Sequence, residues 1–316
     1  MSDVTYTNYV NNKIINYLSN HEKSVIFGQN IVSGSRISGL GVDLEKVTGV
    51  VAINTTNSEN SLMGLGFGLA LSNIPSIFLM KQHDFALLAL DQLTNTNNAI
   101  RNYESIASFI LLVVVMDAGF EGPQASLSSL DEFASLTRSP VYFLSTPETI
   151  DVAFKRVDAP GLHIMALSQK RMKQKINRTT LKIVEFSGCI LYRRSLENKE
   201  STLAIIFYGT DPSIAESILT QIDNGISVDL FIMTQLISVN TEPILFTEIN
   251  KNKSIVIIDT GKSDVHFSTE TAWSLKAVGK KVSKFQRISN LKWSEVSEDP
   301  LEFTESQVIN QIMRGL

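Results

Sequence analysis

Cysteine is almost missing from this chain. Cys189 stands alone among 316 residues, which excludes an internal disulfide and a cysteine zinc cage. In Ser187-Gly188-Cys189-Ile190-Leu191 it is expected to serve as a small buried apolar residue. Histidine is scarce as well. His21, His83, His163 and His266 are scattered, without the spacing of a metal-ligand pair. No apolar run approaches the ~20 residues of a membrane helix; the longest covers only 109–116. The start, Met1-Ser2-Asp3-Val4-Thr5-Tyr6, lacks the basic and then apolar leader of an export signal. A soluble cytoplasmic protein is expected. Neither sign of charge dominates: a net charge of −4 gives no global reason to bind nucleic acid or an anionic membrane.

What is present is ample apolar material, 43% of the chain, enough for packed cores and too much for a disordered chain. At ~100–200 residues per domain, the length allows about two domains. Strand-like runs at 24–27, 47–53, 76–80, 109–116 and 141–144 alternate with helical patterns at 6–20, 57–72, 85–103 and 130–136. A further helix opens at Thr146, an N-cap followed by Pro147 and an acid. Such alternation builds βαβ units and a largely parallel sheet. It resumes with strands at 202–208, 227–233 and 254–259 and helices at 212–223 and 241–250. The fold class is therefore α/β, with two α/β/α domains at 1–180 and 190–316. Between them, residues 168–182 are basic and polar, and read as a solvated linker because no aromatics interleave the charges.

The most informative segment is Asn57-Ser58-Glu59-Asn60-Ser61-Leu62-Met63-Gly64-Leu65-Gly66-Phe67-Gly68, directly after the strand 47–53. It places a carboxylate at a strand's C-terminal end, where open α/β sheets build binding crevices. The glycines do not form a phosphate loop. Their spacing is G-x-G-x-G, and the acid occupies the place where a phosphate would sit. Gly64 and Gly68, four apart, instead allow close approach to one helix face. After the next strand comes Met80-Lys81-Gln82-His83-Asp84-Phe85, then Ala89-Leu90-Asp91-Gln92. An acid and an aromatic, each at a strand end, suit a flat heteroaromatic ring held by edge and face. The alternative for Glu59 is an ordinary helix N-terminal acid, and for Phe85 a core side chain.

At these residues the chain resembles the pyrimidine-binding domain of thiamine-diphosphate enzymes, in the transketolase and 2-oxoacid dehydrogenase E1 group. The resemblance runs through Pro75-Ser76-Ile77-Phe78, Asp91-Gln92, Val113-Val114-Val115-Met116-Asp117, Gly122-Pro123 and the segment 140–147. From Glu197 onward, segments 204–210, 228–231 and 255–261 resemble that group's C-terminal domain. The resemblance implies that Glu59 hydrogen-bonds a ring nitrogen of the aminopyrimidine. This favours the imino tautomer, whose exocyclic nitrogen takes the proton from the thiazolium carbon. It implies that Phe85 stacks on the ring face, with Gln82 and Asp84 completing the cofactor-binding set.

Two departures shape the expectation. There is no G-D-G with a distant Asn, so magnesium and the diphosphate should be held by an α-type partner subunit. This chain then has the content of the β-type subunit, and two chains of each kind would make a heterotetramer with the cofactor between subunits. The family also often places a histidine soon after the Gly-Pro. Here Gly122-Pro123 is followed by Gln124-Ala125-Ser126-Leu127-Ser128-Ser129, leaving His83 as the candidate catalytic proton donor and His266 as a weaker one. The chemistry is ketol transfer or 2-oxoacid decarboxylation on a keto or sugar substrate. A lipoyl-linked acyl transfer and a non-catalytic scaffold are the other readings.

Overall fold

The computed structural model describes residues 4–100, 102–103, 106–117, 129–194, 203–222, 225–263, 265–286 and 303–315. The Gly122-Pro123 loop lies outside the described residues. The chain begins with β1 (Val4–Thr5) and α1 (Tyr6–Ser19), then β2 (Ser24–Gly28), β3 (Val50–Asn54), α2 (Glu59–Leu71) and β4 (Ser76–Met80). Next come α3 (Asn97–Ile100), β5 (Ser108–Val115), α4 (Leu130–Thr137), β6 (Val141–Leu144), α5 (Pro147–Arg156) and β7 (Gly161–Ser168). Among the described residues β2 to β7 form a six-stranded sheet in the order β3-β2-β4-β5-β7-β6. Every pair is parallel.

The central strand β5 is buried at every position, as expected of a parallel strand covered on both faces. Its alternation divides two cores. Phe109, Leu111, Val113 and Val115 face the side that carries α2, whereas Ile110, Leu112 and Val114 face α1 and α5. The opening of α5 matches its sequence signal. The Thr146 side chain accepts from Thr149 N at 3.2 Å, and Thr146 N donates to Thr149 Oγ1 at 2.8 Å, with Pro147 in the first turn.

After β8 (Lys175–Ile176), the second sheet is built from β9 (Lys182–Phe186), β10 (Cys189–Arg194), β11 (Leu203–Tyr208), β12 (Val228–Met233), β13 (Ser254–Asp259) and β14 (Lys281–Gln286). Its order is β14-β13-β11-β12-β10-β9. Four strands run parallel, and β9 and β10 form an antiparallel hairpin at one edge. The helices α6 (Ser213–Gln221), α7 (Pro243–Ile249), α8 (Phe267–Ala277) and α9 (Glu305–Gly315) accompany it.

The two sheets share one core: Ala204, Ile206 and Tyr208 of β11 lie in the same apolar cluster as the odd positions of β5. Backbone bonds stitch them together where Phe143 N donates to Thr234 O and Leu236 N to Val141 O, both 2.8 Å.

Two sequence expectations change here. The single helix anticipated over 85–103 is three pieces: a 3₁₀ turn at His83–Ala89, a π-helical stretch at Gln92–Thr96, and α3. The run Thr94-Asn95-Thr96-Asn97 explains the break. Thr94 Oγ1 donates to Leu90 O at 2.7 Å and Asn95 Nδ2 to Asp91 Oδ1 at 2.7 Å. Short polar side chains of this kind compete with the helix ladder. Nor is 168–182 merely a solvated linker. Arg171 is buried, donates to Ser145 O at 2.9 Å and lies over the Tyr6 ring, and β8 pairs with β1.

Candidate functional site

Strand order places the site. β3 and β4 flank β2, so their C-terminal ends stand two strand spacings apart, about 10 Å. The chain leaves β2 toward β3 and leaves β4 toward β5, in opposite directions across the sheet. Such a reversal opens a crevice at the carboxyl ends of the strands. Glu59 enters this edge from the β3 side, and Gln82, His83, Asp84 and Phe85 from the β4 side.

Glu59 is the first residue of α2, and Ser58 is its N-cap. Although it opens a helix next to solvent-exposed residues 56–58, Glu59 itself is only 8% exposed. An acid that merely complements a helix dipole has no need of such burial. The inner face of α2 is fixed by Met63, Gly66, Phe67 and Ala70, all buried. A Cβ on Gly66 would lie 2.1 Å from Phe109 Cζ, so glycine there lets the helix rest directly on β5. On its flank, α2 packs against the His83–Ala89 turn and the Gln92–Thr96 stretch.

The outer face of α2 is unusual. The helix is apolar on nearly all sides, a pattern that normally accompanies burial all round. Yet Leu65 and Leu71 are exposed, and the space beyond Gly68 is open for 4 Å. Val51 and Ile53 on the edge strand β3, and Leu87 and Leu88 on the 3₁₀ turn, are exposed too. α2 and the elements beside it thus carry uncovered apolar side chains on the same side of the sheet edge, the usual mark of an association surface.

Gln82, His83 and Asp84 are buried, and Phe85 is half-buried against the core. His83 sits edge-on to Phe133 of α4, with ring centroids 4.7 Å apart. Neither ring nitrogen has a hydrogen-bond partner among the described residues. Burial pushes its pKa down to about 4, so the ring is neutral near pH 7. As an acid it can offer only the N–H of a neutral imidazole.

One contributor gave no sequence signal. Asn54, the last residue of β3, accepts from Ile31 N at 2.6 Å and Val32 N at 3.0 Å and donates to Ser33 Oγ at 2.6 Å. It pins the 30–41 loop over the same sheet edge. The other histidines lie elsewhere. His163 is bonded to Ala159 O at 2.7 Å, and His21 faces Asp158 at 3.9 Å. His266 lies in the seam between the sheets, with Nδ1 3.1 Å from Asp259 Oδ2. Cys189 is fully buried, and burial pushes its thiol pKa well up, in line with a packing role. Among the described residues no three His, Cys, Asp or Glu side chains gather as metal ligands, and no helix is long and apolar enough to cross a membrane.

The whole fold has similar solved structures. The chain is similar to a split-gene transketolase described as an inactive beta4 tetramer, at 14% identity and a TM-score of 0.70, over 100% of this chain and 99% of that one. It is also similar to the transketolase of Campylobacter jejuni subsp. jejuni NCTC 11168, at 13% identity and a TM-score of 0.69. That match covers 97% of this chain and 46% of the bacterial one, so this chain spans about half of the enzyme's length. No protein-family profile and no curated protein sequence matches. The chain has the transketolase-type fold, with two α/β units.

Proposed function

We propose that this chain is the β-type subunit of a two-component thiamine-diphosphate enzyme of the transketolase kind. The observation that carries the proposal is the position of Glu59, only 8% exposed, at the C-terminal edge of the first sheet, with uncovered apolar side chains on the adjoining elements. The residues fit one ring of the cofactor. Glu59 offers a carboxylate at the head of α2 for a ring nitrogen, and half-buried Phe85, from the β4 side of the same sheet edge, offers a flat face. They do not fit the diphosphate end, for which magnesium ligands are needed. An α-type chain would hold that end, most simply in a heterotetramer. When bound, the cofactor supplies an electron sink for making or breaking a carbon–carbon bond next to a carbonyl.

Within that reading this chain has three tasks. Glu59 holds or releases a proton at the pyrimidine nitrogen, and burial keeps water from competing for it. Phe85 fixes the ring plane, while Gln82 and Asp84 give the cleft its polar lining. His83 holds the turn against Phe133 and can donate through a neutral N–H. Ketol transfer between sugars is the favoured chemistry because both similar structures are transketolases; 2-oxoacid decarboxylation is the other outcome to assay. A scaffold role has one observation in its favour, the inward turn of His83 onto Phe133.

The test is reconstitution. The chain is mixed with the product of a neighbouring reading frame that carries G-D-G and a downstream Asn, then assayed for ketol transfer and for 2-oxoacid decarboxylation with thiamine diphosphate and magnesium. Activity is expected only in the mixture, and Glu59→Gln should abolish it without dissociating the complex. Full turnover by the isolated chain would contradict the two-chain site. Indifference of the complex to Glu59→Gln would establish the scaffold reading instead.

A further inference from the structure

The two six-stranded sheets have four edges, and three of them are blocked against further pairing. The outer side of β6 is bonded to the second unit: Phe143 N donates to Thr234 O, Leu236 N donates to Val141 O, and Tyr142 bridges Gln235. The edge strands of the second sheet carry charge, Lys182 and Glu185 on β9 and Lys281 and Lys284 on β14. Charged side chains guard an edge because strand addition would strip them of water. β3 has no such guard. It reads Val50-Val51-Ala52-Ile53-Asn54, and among the described residues β2 is its only strand neighbour. No Asp, Glu, Lys or Arg occurs anywhere from Val47 to Ser58.

The strand's period of two sets the geometry of this edge. Thr55 N donates to Gly28 O of β2 at 2.9 Å, so the N–H groups of Val51 and Ile53 also turn toward β2. Those of Ala52 and Asn54 turn outward. Val50 N, on the same outward side, is engaged with Val47 O at 3.2 Å. Among the described residues no hydrogen bond reaches the N–H or C=O of Ala52. The side chains alternate too. Val50 and Ala52 pack on the core beside α1, whereas Val51 and Ile53 point to the other face and are 54% and 40% exposed.

We propose that a second copy of this chain adds its own β3 to this edge, antiparallel and related by a two-fold axis at Ala52. The two Ala52 residues then exchange both N–H···O=C bonds, and Asn54 N–H of each copy reaches Val50 O of the other. On the face away from α1, Val51 of each copy lies opposite Ile53 of the other, a closely spaced apolar pair. The charge pattern is what selects a second copy. An isologous contact sets each residue against the same surface of its copy, so a charge on this edge would meet its like or lose its water. The uncharged run 47–58 extends past β3 at both ends and removes that repulsion, while an acidic or basic strand would find no counter-charge on it. The order Val-Ala-Ile is also self-complementary, with the smallest side chain on the axis and a β-branched pair to either side. α2 packs over β4 and β5, away from this edge, so the pairing leaves Leu65 and Leu71 to the α-type chain of the proposed complex. The contact rests on sheet topology and is independent of the thiamine-diphosphate reading.

The experiment is sedimentation velocity of the full chain over about 1–200 µM, with amide hydrogen exchange at both ends of that range. A reversible monomer–dimer equilibrium is expected, with the amides of Ala52 and Asn54 exchanging at least about tenfold more slowly in the dimer. Ala52→Pro removes an outward N–H at a position where an edge strand accepts proline, and Val51→Lys sets a charge opposite Ile53 of the other copy. Each change acts twice per dimer, and each should raise the dissociation constant at least about tenfold, with the circular dichroism of the monomer unchanged. Val51→Lys carries the test if Ala52→Pro fails to fold. Leu88→Lys, on the outer face assigned to the α-type chain, should dimerise like the parent. A chain that stays monomeric across the range would overturn the proposal. So would a dimer that Val51→Lys leaves intact, a dimer that Leu88→Lys dissolves, or amides of Ala52 and Asn54 that exchange alike at both concentrations.

Discussion

Replacing glycines of α2 one at a time separates its inner from its outer face. At Gly66 an added methyl would lie 2.1, 2.3 and 2.6 Å from three atoms of the Phe109 ring. Carbon atoms in van der Waals contact are ~3.5–4.0 Å apart, so the ring or the helix must give way by more than about 1 Å. Neither has room. Phe109 is fully buried in β5, with Phe67 edge-on to it at 5.2 Å. Overpacking of this kind costs about 1–3 kcal/mol or more, against about 1 kcal/mol gained from alanine's better helix propensity. Gly66→Ala should therefore leave the melting temperature no higher and lower it by up to about 8 °C, at about 2–4 °C per kcal/mol for units of this size. At Gly68 nothing lies within 4 Å of the added methyl, so Gly68→Ala in the isolated chain should raise it by about 2–4 °C. In the proposed complex the sign should reverse, because a methyl there would hold off a partner seated on the outer face. Differential scanning fluorimetry of the isolated chain, with sedimentation and activity of the complex, reads both effects. The reasoning fails if Gly66→Ala proves as stable as Gly68→Ala.

Three further outcomes follow from other residues. Glu59→Gln should reduce turnover of the reconstituted complex at least about a hundredfold with unchanged sedimentation; near-parental rates would remove Glu59 from the chemistry. His83 titrates near 6.5 when unfolded and at about 4 when folded. Its contribution is thus complete above pH 6.5 and lost as pH falls toward 4, worth up to about 3 kcal/mol at 1.36 kcal/mol per unit. His83→Leu should flatten that acid limb in urea melts at pH 4 to 7, and a limb of parental steepness would place the titration elsewhere. Asp131 is buried beside Asp259, and desolvation and then that carboxylate raise its pKa, so its ionised form destabilises the fold. Asp131→Asn keeps an acceptor for Phe267 N, which now donates to Oδ1 at 2.8 Å. It should stabilise the chain by about 1–3 kcal/mol at pH 8 and by little near pH 4; a uniform loss at both values would refute the assignment.

The parts legible in the sequence were those with a local cause. The run 109–116 reads as a central strand because it is apolar throughout. The start of α5 reads correctly because Thr146 and Pro147 carry the cap within a few residues. Glu59 could be placed at a strand end, but its burial depends on a helix seated on Phe109, a contact between distant segments. β7 was overlooked because His163 interrupts its apolar pattern; only in the fold does that ring find Ala159 O. The β9–β10 hairpin did leave a signal. Phe186 and Cys189 pair across the two residues Ser187 and Gly188, and Gly188 takes φ +76°, so Ser-Gly between two strand-like runs marks a tight turn. The seam of Asp131, Asp259 and His266 could not be read at all. Its members lie far apart in the chain and meet only when α4 and α8 face one another.

The two faces of α2 bear on why the proposed site would call for a second chain. A carboxylate serves a heterocyclic nitrogen best where water is excluded, because the interaction strengthens as the local dielectric falls. The first sheet buries the inner face of α2 through Gly66, Phe67 and Phe109, and Glu59 at the head of that helix is 8% exposed. On the other side Leu65, Leu71, Val51, Ile53, Leu87 and Leu88 remain in solvent, each keeping apolar area that burial would turn into roughly 25 cal/mol per Å² of stabilisation. A partner seated on these side chains would gain that energy and, in the same step, close the open side of the cleft. Assembly and the drying of the site are then one event. Surface-charge substitutions such as Leu65→Lys or Leu88→Lys should therefore abolish complex formation and activity together while the isolated chain stays folded by circular dichroism. A variant that lost activity yet kept full assembly would break that link.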